Sequence, residues 1–384
     1  MIAAEPFRID VSDAVLRNLA AKLALTRFPD IEPVGAAWRF GVPIGYLRDI
    51  VNFWSEDYDW REWEARLNCF AHYRASIAGG RVHFIMEPGS GDAPFPLVFT
   101  HGWPGSFVEF IDIIEPLAHP ERFGGDVSDA FTVIVPSLPG YGFSDPPAAP
   151  IHPRQVAARW QVLMRDVLGF SRYGAQGGDW GSAVTSWLAI EAPPELIAIH
   201  LNMVSLRPSL EEGATPLDES ERRWVAASKK RREGELAYQQ IQGTKPQTLA
   251  YGLTDSPAGL AAWILEKFHG WTVPGRDAPP PFDTGHLVTN VMIYWLAGIN
   301  AANWMYQSSV EGKSVALKPG EFVEVPTGVM LFPDDIALPP PSRWIERAYN
   351  LVHRTDAATG GHFAAMQCGS ALIEDIRRFF RPYR

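Results

Sequence analysis

The sequence predicts an α/β fold, a mostly parallel, doubly wound sheet interrupted by a helical insertion. Three observations predict it. Short strand-like runs alternate with helical stretches between residues 81 and 205, the pattern of strands joined by crossover helices. Those runs are nearly continuous in apolar residues, as in Phe131-Thr132-Val133-Ile134-Val135-Pro136, which suits a sheet covered on both faces. The strand pattern then fades from about 206 to 312 and returns at Gly328-Val329-Met330-Leu331-Phe332.

Taken in order, residues 7–28 space their apolar groups as a helix does, with Asp10 or Ser12 as its N-cap. Residues 30–80 are rich in Trp, Tyr and charge and read as a segment that wraps a body rather than forming a core, so 1–80 is taken as an N-terminal segment. The first core portion, 81–205, carries strands at 81–86, 97–100, 131–136, 171–178 and 197–203, with helices over 107–118 and 153–168. A helical, aromatic and Pro-rich insertion occupies 206–312. The core resumes over 313–384 and closes with a helix at 373–380. The runs Pro279-Pro280-Pro281 and Pro339-Pro340-Pro341 are stiff loops, and no internal repeat is visible.

Composition narrows the function. A chain of 384 residues with 46% hydrophobic and 20% charged side chains is that of an ordered globular protein. A net charge of -10 argues against nucleic acid, whose phosphates need clustered Lys and Arg. The one basic run, Lys229 to Arg232, is followed by Glu233 and Glu235 and reads as a solvated helix face. Cys69 and Cys368 are too few for a disulfide scaffold or a zinc cluster and suit a reducing compartment. No basic leader with a long apolar run opens the chain, and no stretch nears the roughly 20 apolar residues of a membrane span. A cytoplasmic protein is expected.

The chemistry is concentrated in three places. Gly177-Gly178-Asp179-Trp180-Gly181-Ser182 lies between a strand-like and a helix-like run, which matches a nucleophile elbow of the α/β-hydrolase kind, with Asp rather than Ser at its centre. Small residues are needed there because strand and helix backbones approach closely. A glycine-rich turn with Asp179 capping a helix is the plainer reading of this segment alone. His101-Gly102-Trp103-Pro104-Gly105-Ser106 follows a strand at the point where such folds supply an oxyanion hole, whose donors would be the N–H groups of Trp103 and Trp180. By itself it is also a plain Pro-Gly turn. Gly360-Gly361-His362-Phe363 supplies a histidine after the elbow. Asp334 and Asp335, at the end of the strand at 328–332, supply an acid to orient its imidazole. The order nucleophile, acid, histidine is the one this fold uses.

At this point the chain resembles the microsomal-type epoxide hydrolase family along nearly its whole length. The likeness is carried by the opening segment from Pro6-Phe7-Arg8-Ile9 to Thr26-Arg27-Phe28-Pro29, by His101 to Ser106, Gly178 to Ser182, Thr244-Lys245-Pro246, Asp255-Ser256-Pro257, Ile264 to Phe268 and Gly361-His362-Phe363. The resemblance implies a nucleophile at Asp179, a general base at His362, its orienting acid at Asp335, and two proton-donating tyrosines, Tyr238 and Tyr306. Tyr251 and Tyr294 are rivals for the tyrosine roles, and Asp334 is a rival for the acid. The sequence departs from the family in two ways. Vertebrate members carry a membrane anchor ahead of the shared region, and none is expected here. Mammalian members also place Glu where this chain has Asp-Asp.

The implied reaction is hydrolysis of an epoxide to a vicinal diol through an aspartyl ester, with water as co-substrate and no metal or organic cofactor required. The closest competing activity is that of a haloalkane dehalogenase, which shares the Asp nucleophile, the His base and the following Trp. A halide leaving group needs no proton donor, so the Tyr238 segment favours the epoxide. A catalytically silent ligand binder with the same fold is a further alternative. A homodimer is compatible with all of this.

Overall fold

The computed structural model of the chain describes residues 3–35, 37–210, 215–272, 278–310 and 315–384. The expected boundary of the insertion at 312 falls outside them. Among the described residues nine strands form a single sheet: β1 (Ala4–Phe7), β2 (His72–Ile77), β3 (Gly80–Glu87), β4 (Phe95–Thr100), β5 (Phe131–Pro136), β6 (Tyr173–Gly177), β7 (Leu196–Leu201), β8 (Val323–Leu331) and β9 (Tyr349–Asp356). Their order is β1-β2-β3-β5-β4-β6-β7-β8-β9. The strands from β5 across to β9 pair in parallel, while β1, β2 and β3 join antiparallel at one edge.

The apolar runs place the central strands where the sequence predicts them. All six residues of β5 are buried, as a strand covered on both faces requires. Two glycines show how close the covering helices come. A Cβ on Gly174 would overlap the ring of Phe380, from the closing helix Gly369–Phe380. A Cβ on Gly177 would overlap the Gly181 backbone of the helix Asp179–Glu191. Side chains alternate along a strand, so residues three apart face opposite ways and these two helices lie on opposite faces of β6.

Three strands were not legible in the sequence. β1 and β9 are the two edges, where half-exposed strands lack continuous apolar character, and β1 carries Pro6, a residue that sheets tolerate at an edge. β2, next to β1, is likewise mixed: His72-Tyr73-Arg74-Ala75-Ser76-Ile77. The first helix is shorter than 7–28, running Asp13–Ala24 from an extended Ser12 at its N-cap. The segment over 30–80 does more than wrap. Ile50, Val51, Trp54, Trp60 and Leu67 are buried in the hydrophobic core.

Helices fill the chain between β7 and β8, including Ala237–Thr244, Pro257–Gly270, Thr284–Ala297 and Met305–Val310. The N-terminal helices Asp13–Ala24 and Ile44–Glu56 pack on two of them. Trp38 stacks on His269 with ring centroids 3.9 Å apart, and the hydroxyls of Tyr58 and Thr289 meet at 2.9 Å. The N-terminal segment therefore fastens the inserted helices over the carboxyl ends of the parallel strands, where ligands bind in open α/β sheets.

Candidate active site

Asp179 opens the helix Asp179–Glu191 directly after β6, with φ of +48°. That region is unfavourable for a residue with a Cβ, and its occupation at a strand-to-helix turn is how this fold holds a side chain clear of both elements. The glycines make the turn feasible. A Cβ on Gly181 would collide with the Thr100 carbonyl, and one on Gly178 with the Asn202 side chain.

The loop after β4 comes to the same point. Trp103 N–H donates to Asp179 Oδ1 at 2.8 Å, and a Cβ on Gly102 would overlap the same carboxylate. The Trp103–Pro104 peptide is cis. The N–H of Trp180 lies in the first turn of the elbow helix, where no intrahelical carbonyl is available to it. His101 shapes the loop from behind: its Nδ1–H donates to the Gly102 carbonyl at 3.0 Å and its Nε2 accepts from Leu138 N–H at 3.2 Å. Complete burial pushes its pKa down to about 4, so the ring is a neutral brace.

His362 stands on the other side of the carboxylate. Its Nε2 is 3.4 Å from Asp179 Oδ2, an ion-pair distance, and its Nδ1 is 2.9 Å from Asp335 Oδ1. Asp335 is buried and also accepts from Ala337 N–H, whereas Asp334 is half-buried and meets the chain through its backbone. Asp335 is thus the acid that contacts the imidazole. Burial works against a charged imidazole here. The Asp335 and Asp179 carboxylates outweigh that effect and push the His362 pKa up to about 10. Gly361 allows the turn, since a Cβ there would overlap the Trp271 carbonyl, which accepts from His362 N–H at 3.0 Å.

The inserted helices bring Tyr238 and Tyr306 over this group. Their rings meet edge to face at 5.6 Å, Tyr238 stacks on Trp103 at 4.9 Å, and Tyr306 meets Trp180 edge-on at 4.9 Å. Burial and then the Asp179 charge raise the Tyr238 pKa. Burial, Tyr238 and Asp179 raise that of Tyr306 well above its ordinary value. Both hydroxyls stay protonated at neutral pH. The two rivals are elsewhere. Tyr251 is 72% exposed, and Tyr294 donates its hydroxyl to the Gly105 carbonyl at 2.7 Å.

Sequence reasoning missed the residues that hold the loop after β4. Besides Tyr294, Asn290 Nδ2 donates to the Pro104 carbonyl at 2.7 Å, and Ser106 Oγ donates to Asn290 Oδ1 at 2.8 Å. Asn290 and Tyr294 lie four apart on one helix, a spacing that places both on one face. Nothing in an isolated sequence links that face to a loop some 180 residues earlier. Trp271 was missed as well; its ring meets His362 edge-on at 4.7 Å.

A strained Asp on an elbow, a backbone donor at its carboxylate, and a His–Asp pair in that chain order define an α/β-hydrolase whose elbow residue is an aspartate. The comparisons narrow the class. Residues 4–110 match the family model described as the epoxide hydrolase N terminus, and residues 96–243 match the alpha/beta hydrolase fold. The chain is 38% identical to a putative epoxide hydrolase of Stigmatella aurantiaca over 99% of its own length and 85% of that protein's. It is 32% identical to epoxide hydrolase 1 of Sus scrofa, covering 97% and 88% of the two chains. The solved epoxide hydrolase of Aspergillus niger superposes with a TM-score of 0.85 at 32% identity, over 98% of this chain and 96% of that one. The chain belongs to the epoxide hydrolase family, and the enzyme is an epoxide hydrolase. No helix among the described residues is long and apolar enough to cross a membrane.

Proposed function

We propose that the enzyme opens its epoxide through a covalent ester on Asp179. The observation that carries this reading is the double engagement of one carboxylate, Oδ1 on the Trp103 N–H and Oδ2 beside His362. Oδ2 attacks a ring carbon while Tyr238 and Tyr306 hydrogen-bond the ring oxygen, and one of them gives it a proton as the C–O bond breaks. This splits one hard displacement into two easier steps. A phenol suits the donor role because it keeps its proton at neutral pH, the more so when buried.

Formation of the ester removes the Asp179 charge. Two of the influences that hold a proton on His362 vanish with it, so the imidazole gives its proton up to the phenolate left by ring opening and becomes a base. His362 then takes a proton from water as the water oxygen attacks Asp179 Cγ. The N–H groups of Trp103 and Trp180 hold the oxyanion, a contribution of about 2.7–4 kcal/mol per donor in comparable sites. Collapse expels the diol alkoxide, which takes the proton back from His362. The lining by Trp103, Trp180, Trp271, Tyr238 and Tyr306 suits an apolar epoxide, in either a biosynthetic or a detoxifying setting.

Acid-quenching the enzyme with styrene oxide and measuring its intact mass tests the reading. The expected result is an adduct of one styrene oxide on the peptide bearing Asp179, absent from Asp179→Ala. A wild-type enzyme that turns over with no adduct under any quench time would contradict it.

A further inference from the structure

We propose that Glu109 positions the water that cleaves the ester, a role that rests on the ester reading above. The side of Asp179 and His362 lined by Gly102, Trp103, Glu109 and Asn202 encloses a cavity of about 20 Å³. That is room for about one water molecule. Neither Tyr238 nor Tyr306 lines it, so it is separate from the space where the proton donors would meet an epoxide.

Glu109 reaches this cavity because of a glycine. It lies in the short 3-10 turn Phe107–Phe110, and its carboxyl folds back over the oxyanion loop into the space left by Gly105, where a Cβ would overlap Glu109 Oε1. Three other polar side chains of the wall are engaged. Thr100 Oγ1 accepts from Trp160 Nε1 at 3.0 Å, Asn202 Oδ1 accepts from Gln176 Nε2 at 2.8 Å, and His101 braces the loop. Glu109, whose carboxyl also accepts from the Gly102 backbone, faces a water shared with His362.

Its protonation supports the geometry. Burial raises the Glu109 pKa to about 8; His362 and the Gly102 backbone pull it down, and the Asp179 charge adds to the rise. A neutral carboxyl offers both an acceptor oxygen and an O–H. One O–H of the water then points at His362 Nε2 and the other at the Glu109 carbonyl oxygen, which turns a lone pair toward Asp179 Cγ. The proton goes to His362, the new C–O bond forms at Cγ, and the bond to the diol oxygen breaks as that oxygen takes the proton from His362.

Quench-flow with styrene oxide separates ester formation from ester cleavage in the wild type and in Glu109→Ala, Glu109→Met and Glu109→Gln. The expected result is that Ala and Met slow cleavage by about 10- to 100-fold, the cost of a misplaced nucleophile, while ester formation changes by less than about threefold. Gln keeps an acceptor oxygen and should restore cleavage to within about tenfold of wild type. Met preserves the volume and carries the test if Ala unsettles the turn. Equal loss of both steps in Met and Gln, or no change in cleavage, overturns the proposal. A wild type that forms no ester overturns the covalent reading itself, which is a different failure from an ester that forms and cleaves independently of Glu109.

Discussion

His362 Nε2 lies 3.4 Å from Asp179 Oδ2, while the same ring's Nδ1 is held by Asp335 at 2.9 Å. The imidazole is bound between two carboxylates, of which only Asp179 would lose its charge during a catalytic cycle. On the proposed ester route this asymmetry would make His362 a stored cation before the ester forms and a base afterwards, and the pH dependence expected of the enzyme follows from it.

The folded-state pKa of His362, about 10, is above the ordinary value of about 6.5. The protonated ring therefore contributes stability that is full below about pH 6.5 and is lost as pH rises through about 10. Thermal unfolding of wild type against His362→Gln should show a difference that narrows across that window. In single-turnover kinetics the rate of ester cleavage should rise along an acid limb set by His362 in the ester. Ester formation should lack that limb, and an acid limb in formation alone would contradict the assignment.

Asp335→Asn removes the charge that orients and stabilises the imidazolium. Ester cleavage should fall by about 10⁴-fold, the loss seen when such a carboxylate is neutralised in a catalytic triad. Ester formation should persist, so the adduct should accumulate and be visible by intact mass. The same change at Asp334, which does not touch the ring, should leave both steps near wild type.

Tyr238→Phe and Tyr306→Phe should each slow ester formation by about 10- to 100-fold, since the second phenol still donates. Tyr294→Phe is the control. It leaves the Gly105 carbonyl without its donor, which costs about 1–3 kcal/mol of stability while leaving Tyr238 and Tyr306 in place. Calorimetry and quench-flow on the three variants should therefore move in opposite patterns.

Gly181→Ala and Gly102→Ala separate folding from chemistry at the elbow. The first drives a Cβ into the Thr100 carbonyl, a backbone atom that cannot move aside, and should destabilise the protein by more than about 3 kcal/mol. The second meets the Asp179 carboxylate instead. Its circular dichroism should remain native while ester formation collapses.

The legible part of the structure was the part written in local pattern. β5 and its parallel neighbours announce themselves as apolar runs, and the elbow as glycines around a single Asp. The edge strands β1 and β9 were hidden because exposure on one side dilutes their apolar character. At the site, Asp179, His362 and Trp103 come from motifs with their own backbone geometry. Asp335 was reached by family resemblance with Asp334 as its rival, and local pattern could not separate them, because adjacent residues at a strand end point in different directions; the fold places Asp335 against the imidazole. Tyr238 and Tyr306 were reached by family resemblance, Tyr294 only as their rival, and Asn290 and Glu109 not at all. Their positions depend on how inserted helices or a loop glycine bring distant groups together, which no local spacing encodes.

The most direct test of the account is one turnover of styrene oxide in ¹⁸O-labelled water with enzyme in excess. If Asp179 forms the ester and water attacks its Cγ, the first diol carries no label and Asp179 gains it, appearing as a mass shift in the peptide that contains the elbow. Label in the diol at the first turnover, with none in that peptide, would mean that water attacks the epoxide directly, and the role given to Asp179 would be wrong.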